Sequence, residues 1–175
     1  MKQFNSLLED ISICPPSDGV ITDSEARDLV SKFKRVFDVI GVDFAFSSHA
    51  GLKDRLTHAR NKPPISSCEF DHVMSMFIKK MGKQLYNDSA DIQSRKVQAR
   101  GKNADNIRPN NFEYGIVSRS TGIAIILAVQ PNPRGKNAAR INIVTVMRKR
   151  GFKVNQGETV MVEGVSYEPE WIVID

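Results

Sequence analysis

The chain has 175 residues, 41% hydrophobic and 26% charged, with a formal net charge of +5. This is the length of one domain, or of one domain with a small appendage, and the composition supports a packed core rather than a disordered chain. No apolar run is long enough to span a bilayer, and the N-terminus lacks a signal-peptide core, which argues against membrane and secreted classes.

Residues 1–11 space Phe4, Leu7, Leu8 and Ile11 for one face of a short helix. Pro15, Pro16 and Gly19 then break it as a linker. The first firm helix is expected over 23–40. Thr22 and Glu25 form a capping box, and Leu29, Val30, Phe33, Val36, Phe37 and Ile40 recur at helical spacing before a stop at Gly41. Residues 42–46 read as a short extended segment. A second helix is expected over 48–60, ending before Pro63 and Pro64. A third starts at Ser66, with Glu69 completing another capping box, and carries the stripe Phe70, Val73, Met74, Phe77, Ile78, Met81 and Leu85. Residues 87–111 are polar and basic and read as a long loop or a partly helical arm.

The pattern then changes to strands at 112–118 and 122–130, with a turn between them. The second is apolar on both faces, as a central strand should be. A loop at 131–137 precedes a strand at 141–147, and the tail carries two more at about 158–163 and 171–174. Helices first and strands after give an α+β fold with N-terminal helices packed on an antiparallel sheet. The organisation is an N-terminal segment and linker at 1–21, a basic α+β domain at 22–153, and acidic C-terminal strands or tail at 154–175.

Charge is unevenly placed. Residues 134–153 carry 7 basic and no acidic groups, whereas residues 154–175 carry no basic and 5 acidic groups. A basic stretch of this kind is the footprint of a polyanion such as nucleic acid, or else a solvated face neutralised by the tail. The same juxtaposition would let the tail cover the basic face as an internal mimic of nucleic acid. One short motif repeats: Arg100-Gly-Lys-Asn-Ala104 recurs as Arg134-Gly-Lys-Asn-Ala138. Such a glycine turn can bring backbone N–H groups to a phosphate, or can simply be solvated.

Two cysteines, Cys14 and Cys68, make no disulfide framework, so a reducing compartment is the default. Three histidines and no close-spaced ligand pairs argue against a metal site, and no cofactor is implied. Phosphate-loop, dinucleotide, zinc-protease and nucleophile-elbow motifs are all missing. Cys68 and His72 lie one helical turn apart, but with no third member they make a weak nucleophilic pair.

Acid–base and electrostatic chemistry by His and Arg remains. On the second helix, His49 falls at the rim of the leucine side with Lys53 and Arg60, while His58 faces away into solvent. His72 falls opposite its helix's apolar stripe and reads as exposed. On the late strand, Arg148 and Arg150 share one face, suited to holding phosphate, or lie at a charged strand end in water. RNA cleaves itself when its 2′-hydroxyl attacks the adjacent phosphate. Histidine can move the protons and arginine can stabilise the added charge, without metal.

The order of elements, with Phe46-Ser-Ser-His49, Asp54-Arg55, Met76-Phe77-Ile78-Lys79, 123–129 and 143–150, resembles the RegB-type phage endoribonucleases. These are related in fold to the RelE/YoeB toxins and more distantly to the barnase-like ribonucleases. The resemblance spans roughly 44–152. It implies metal-independent RNA cleavage leaving a 2′,3′-cyclic phosphate, with His49 and Arg55 in the active site. The second histidine of that family has no counterpart here, and an unbroken helix would point Arg55 about 120° away from His49. The first nine residues are similar to the targeting peptides of internal head proteins in T4-like phages, with Leu7-Leu8-Glu9 at the protease site.

The first reading is therefore a phage-encoded endoribonuclease of the host cytoplasm. His49 would be its acid–base group, Arg55 and Arg148 would stabilise charge, and Lys53, Arg60, Arg119, Lys149 and Arg150 would hold RNA. The alternative is a non-enzymatic virion or internal head protein, or a nucleic-acid-binding protein, using the same basic face. Its partners would be nucleic acid, RNA first, or phage structural proteins, with no membrane.

Overall fold

The computed structural model describes residues 14, 20–45, 49–92, 112–149, 151–152 and 169–174. The expected helix at 1–11, the strand at 158–163, Arg150 and most of the segment 87–111 lie outside them. The elements run α1 (Asp23–Ile40), β1 (Val42–Phe44), α2 (His49–Leu56), α3 (Ser67–Ala90), β2 (Phe112–Ser118), β3 (Ile123–Pro131), β4 (Ala139–Arg148) and β5 (Glu170–Ile174). The helices pack against the sheet in an α+β arrangement.

Both capping boxes form. Thr22 N–H donates to Glu25 Oε2 at 2.8 Å, and Glu25 N–H donates back to Thr22 Oγ1 at 3.2 Å. Ser66 and Glu69 repeat the exchange at the start of α3. The two helix starts are tied together, because Ser67 Oγ donates to the other oxygen of Glu25 at 2.9 Å. Gly41 closes α1 at φ 81°, the left-handed region open to glycine at little cost.

The sheet order is β1-β4-β3-β2-β5. The central hairpins β2–β3 and β3–β4 are antiparallel, as expected. Both outer strands instead run parallel to their neighbours, β1 beside β4 and β5 beside β2. The physical reason is the length of the intervening chain. A parallel pair needs a long crossover, and α2, α3 and the β2–β3 hairpin lie between β1 and β4. Since β5 completes the sheet, the last part of the acidic tail is structural, with Ile172 and Ile174 in the core.

The core lies between the helices and one sheet face. Phe33 stands edge-on to Phe70 at 5.9 Å, and Phe37 stacks on Phe44 at 5.3 Å. Burying each such ring is worth roughly 1.5–3 kcal/mol. Helix α2 ends at Leu56 rather than at residue 60, because the Asn61 side chain takes over its last carbonyls, donating to Arg55 O at 2.9 Å and Leu56 O at 3.3 Å. Helix α3 runs past residue 87 to Ala90, where buried Asp88 accepts a hydrogen bond from the Tyr114 hydroxyl. That anchor comes from β2, and local composition carries no trace of it.

The cysteine expectation is corrected. Cys14 and Cys68 form a disulfide, with Cα atoms 5.6 Å apart, so neither is a free thiol and the Cys68–His72 nucleophile is removed. Fifty-four residues separate them, and only the fold brings them together.

Candidate nucleic-acid interface

The predicted site residues that the structure describes fall into four groups, and the first closes a sheet edge. Opposite Ile126 and Leu127 the β3–β4 register jumps from Ile143 to Thr145, so Val144 is an extra residue in β4. A bulge reverses which backbone groups face outward. Before it, Ile141 O accepts from Ala45 N–H at 2.9 Å. After it, Val144 O and Val146 O face the edge where β1 has ended. Arg55 Nη1 donates to Val144 O at 2.9 Å. Arg60 Nη2 donates to Val146 O at 3.0 Å and to Thr145 Oγ1 at 2.5 Å. Arg148 N–H then donates to Asn61 Oδ1 at 2.8 Å. Guanidinium and amide groups thus stand in for a missing strand, satisfying backbone that would otherwise template association.

The second group is centred on Arg148. Its Nε donates to Pro63 O at 3.0 Å, Nη1 to Thr121 O at 2.8 Å, and Nη2 to Pro64 O at 3.2 Å and Glu69 Oε2 at 2.6 Å. All three nitrogens are engaged, and the side chain is only 8% exposed. Arg148 therefore ties the end of β4 to the α2–α3 connection, the β2–β3 turn and the first turn of α3. Burial pushes the Glu69 carboxyl up. The hydrogen bonds from Arg148 and Ser66 N–H and the guanidinium's charge outweigh that, and hold it below the ordinary glutamate value.

At the start of α2, Lys53 Nζ lies 2.8 Å from Asp23 Oδ1. Hydrogen bond and charge from Lys53 hold the Asp23 carboxyl below the usual range, with a further contribution from His49. His49 and Lys53 thus share the Asp23 side of the helix, as their spacing predicts, while Arg55 turns to β4. His58 is exposed, and its Nδ1 accepts from Arg60 N–H at 3.2 Å. His72 is half-buried rather than exposed.

The fourth group forms a cleft. The β2–β3 turn and the chain just after β4 enclose about 400 Å³, lined by Ser118, Arg119, Ser120, Thr121, Lys149 and Phe152 among others. Gly122, at φ 69°, lets the turn close, with its N–H on Ser118 O at 3.0 Å. Lys149 N–H bonds Gly122 O at 2.9 Å, and this seats Lys149 beside the turn. Gly151, at φ 66°, swings the chain back so that Phe152 N–H reaches Lys149 O at 3.2 Å. The Lys149 ammonium then lies 5.6 Å from the Phe152 ring centroid. Ser118 Oγ accepts from Thr121 Oγ1 at 2.8 Å, fixing the hydroxyl cluster. Arg119 and Lys149 are both exposed, and neither makes an ion pair with a described residue.

Behind the cleft, Phe152 packs on Trp171 at 5.0 Å. The indole lies flat against Gly115, where a Cβ would come within 2.4 Å of the ring. Phe152 and Trp171 do not figure among the residues the sequence points to. The available signal was an aromatic two residues beyond the Arg148-Lys149-Arg150 run. Among the described lining residues there is no histidine and no carboxylate, so the cleft suits binding of an anion rather than proton transfer.

The second copy of the repeated turn is solvated, with Arg134, Gly135 and Lys136 exposed, yet it also meets an anion. Its anion is a carboxylate of the same chain. Asp43 Oδ2 accepts from Lys136 N–H at 3.0 Å and Asn132 Nδ2 at 2.6 Å, while Asp43 Oδ1 accepts from Asn137 Nδ2 at 2.7 Å. Lys136 Nζ pairs with Asp38 at 2.7 Å. The first copy lies outside the described residues.

Comparison with known proteins gives no family: no family model, no curated protein and no solved structure matches the chain. No described helix is long and apolar enough to cross a membrane.

Proposed function

We propose that this chain binds nucleic acid, with RNA the first candidate, through the cleft between the β2–β3 turn and the end of β4. One observation carries this reading. Arg119 and Lys149, from separate strand ends, line one cleft with three hydroxyl side chains and are not neutralised by a described carboxylate. Phosphate is the anion that two such cations in a polar cleft suit. The other basic candidates among the described residues are otherwise engaged: Lys53 pairs with Asp23, Arg55 and Arg60 hold the β4 edge, and Arg148 holds Glu69.

RNA cleavage retains His49 as its acid–base group, whereas Arg55 and Arg148 serve the protein itself. Binding without cleavage therefore has the stronger support. The Cys14–Cys68 disulfide bears on place, since such bonds persist in oxidising surroundings and are rare in the cytosol. Of the host cytoplasm and the virion, it favours the virion.

The test is a gel-shift titration of a mixed RNA pool in EDTA with wild type, the double variant Arg119→Glu/Lys149→Glu, and His49→Ala. Binding by wild type and His49→Ala, lost in the double variant, with intact RNA throughout, is expected. Cyclic-phosphate ends that disappear in His49→Ala would establish a ribonuclease instead. No binding by wild type would overturn the proposal.

A further inference from the structure

We infer that the cleft takes a single-stranded oligonucleotide, with one base stacked at Phe152 and an adjoining phosphate between Arg119 and Lys149; this deepens the proposed nucleic-acid reading and rests on it. The reasoning starts from the aromatic pair. An ordinary anion site needs cations, which Arg119 and Lys149 supply. It does not need a phenyl ring in its wall. Phe152 lines the cleft and is only half-buried.

The ring is also held in place. Its packing on Trp171 at 5.0 Å, and the seating of Trp171 on Gly115, fix its position from behind. A held aromatic costs little ordering entropy when a second ring stacks on it. Lys149 stands 5.6 Å from the ring centroid, so a phosphate drawn to its ammonium brings the attached nucleoside to the phenyl group. Cations that track a backbone, beside an aromatic that accepts any base, are the recurring solution for single strands. A duplex keeps its bases stacked on one another and cannot present a base face to Phe152.

The experiment uses the full chain and three probes: a ten-nucleotide uridine-rich RNA, the same RNA annealed to its complement, and inorganic polyphosphate. Affinity is read by anisotropy or competition, and stacking by the fluorescence of Trp171, the chain's single tryptophan. The single strand is expected to bind about tenfold tighter than the duplex and to quench Trp171, on the scale of one aromatic–base stack. Polyphosphate is expected to bind without that quench. Phe152→Ala should lose about tenfold for the single strand and nothing for polyphosphate, while Phe152→Tyr should retain both. Phe152→Leu, which keeps apolar bulk against Trp171 but removes the aromatic face, should show the same selective loss as Phe152→Ala and keeps the stacking test open should that variant fail to fold. Equal binding of single strand and duplex, or a Phe152→Ala loss shared by polyphosphate, would overturn the stacking inference and leave nucleic-acid binding standing. Failure of all nucleic acid to bind, with polyphosphate still held, would overturn both.

Discussion

Glu69 Oε2 lies 2.6 Å from Arg148 Nη2, and it is also the oxygen that accepts Ser66 N–H at 3.0 Å to cap α3. One carboxylate oxygen thus serves a helix start and a buried ion pair. The same Nη2 also donates to Pro64 O, while Nε and Nη1 of Arg148 donate to Pro63 O and Thr121 O, so the pair joins helix, connection and sheet. The side chains are 8% and 14% exposed, which places the pair among interactions whose breakage strands a charge away from water.

Removing Arg148 should therefore cost stability. Arg148→Ala is expected to lose about 3–5 kcal/mol in urea unfolding. Replacing both partners, as Arg148→Met with Glu69→Gln, should lose clearly less than the single change, because no unpaired charge remains. A phosphate-binding arginine would behave oppositely, with stability kept and affinity lost.

The pH dependence follows from carboxylates held below their ordinary values. Asp23, Glu25, Asp38 and Glu69 are all shifted downward, Glu25 chiefly by its hydrogen bonds with Thr22 and Asp38 by those from Lys136 and Asn137. A depressed folded pKa contributes stability that is present above the unfolded value and lost as pH falls through the folded one. Thermal melts should thus hold from neutrality down to about pH 4.5 and decline below it. In Glu69→Gln the decline should be shallower. An undiminished acid decline in that variant would remove Glu69 from the explanation.

The disulfide closes a span of 54 residues, which in the chain-entropy picture corresponds to about 4 kcal/mol. Reduction, or Cys14→Ser, should lower the unfolding midpoint accordingly. Non-reducing mass analysis should find both thiols unavailable to alkylation in the native protein. Two freely alkylated thiols in the unreduced protein would contradict the bond.

Asp43 is the acceptor for three donors from the 131–139 loop, and Gly135 sits where a Cβ would come within 2.4 Å of Asp43 Oδ2. Asp43→Ala leaves those donors without their acceptor and should cost about 1–3 kcal/mol. Amide exchange at Lys136 should rise with it. Unchanged exchange there would show that Asp43 does not order the loop.

What the sequence revealed was local. The Thr22–Glu25 and Ser66–Glu69 boxes and the stripe from Leu29 to Ile40 depend on spacing alone, and they appear in the structure residue for residue. The central strand, apolar on both faces, has the same character. The roles of Arg55, Arg60 and Arg148 could not be read that way. Each depends on a carbonyl or carboxylate distant in the chain, and a guanidinium that plugs a sheet edge looks in sequence like one that faces phosphate. Asn61 was silent for the same reason, since it caps α2 and receives β4 at once. Arg119 and Lys149 were read from charge, but Phe152 and Trp171 join them only because β5 runs parallel beside β2.

The most direct measurement is the salt dependence of single-stranded RNA affinity for wild type and Arg119→Ala/Lys149→Ala, with melting curves alongside. Loss of two phosphate contacts should flatten the slope of log Kd against log salt by about 1.4, at roughly 0.7 per contact on a single strand. The melting temperature should stay unchanged, because both side chains are exposed. An unaltered slope and affinity in a folded double variant would contradict the cleft as the binding surface.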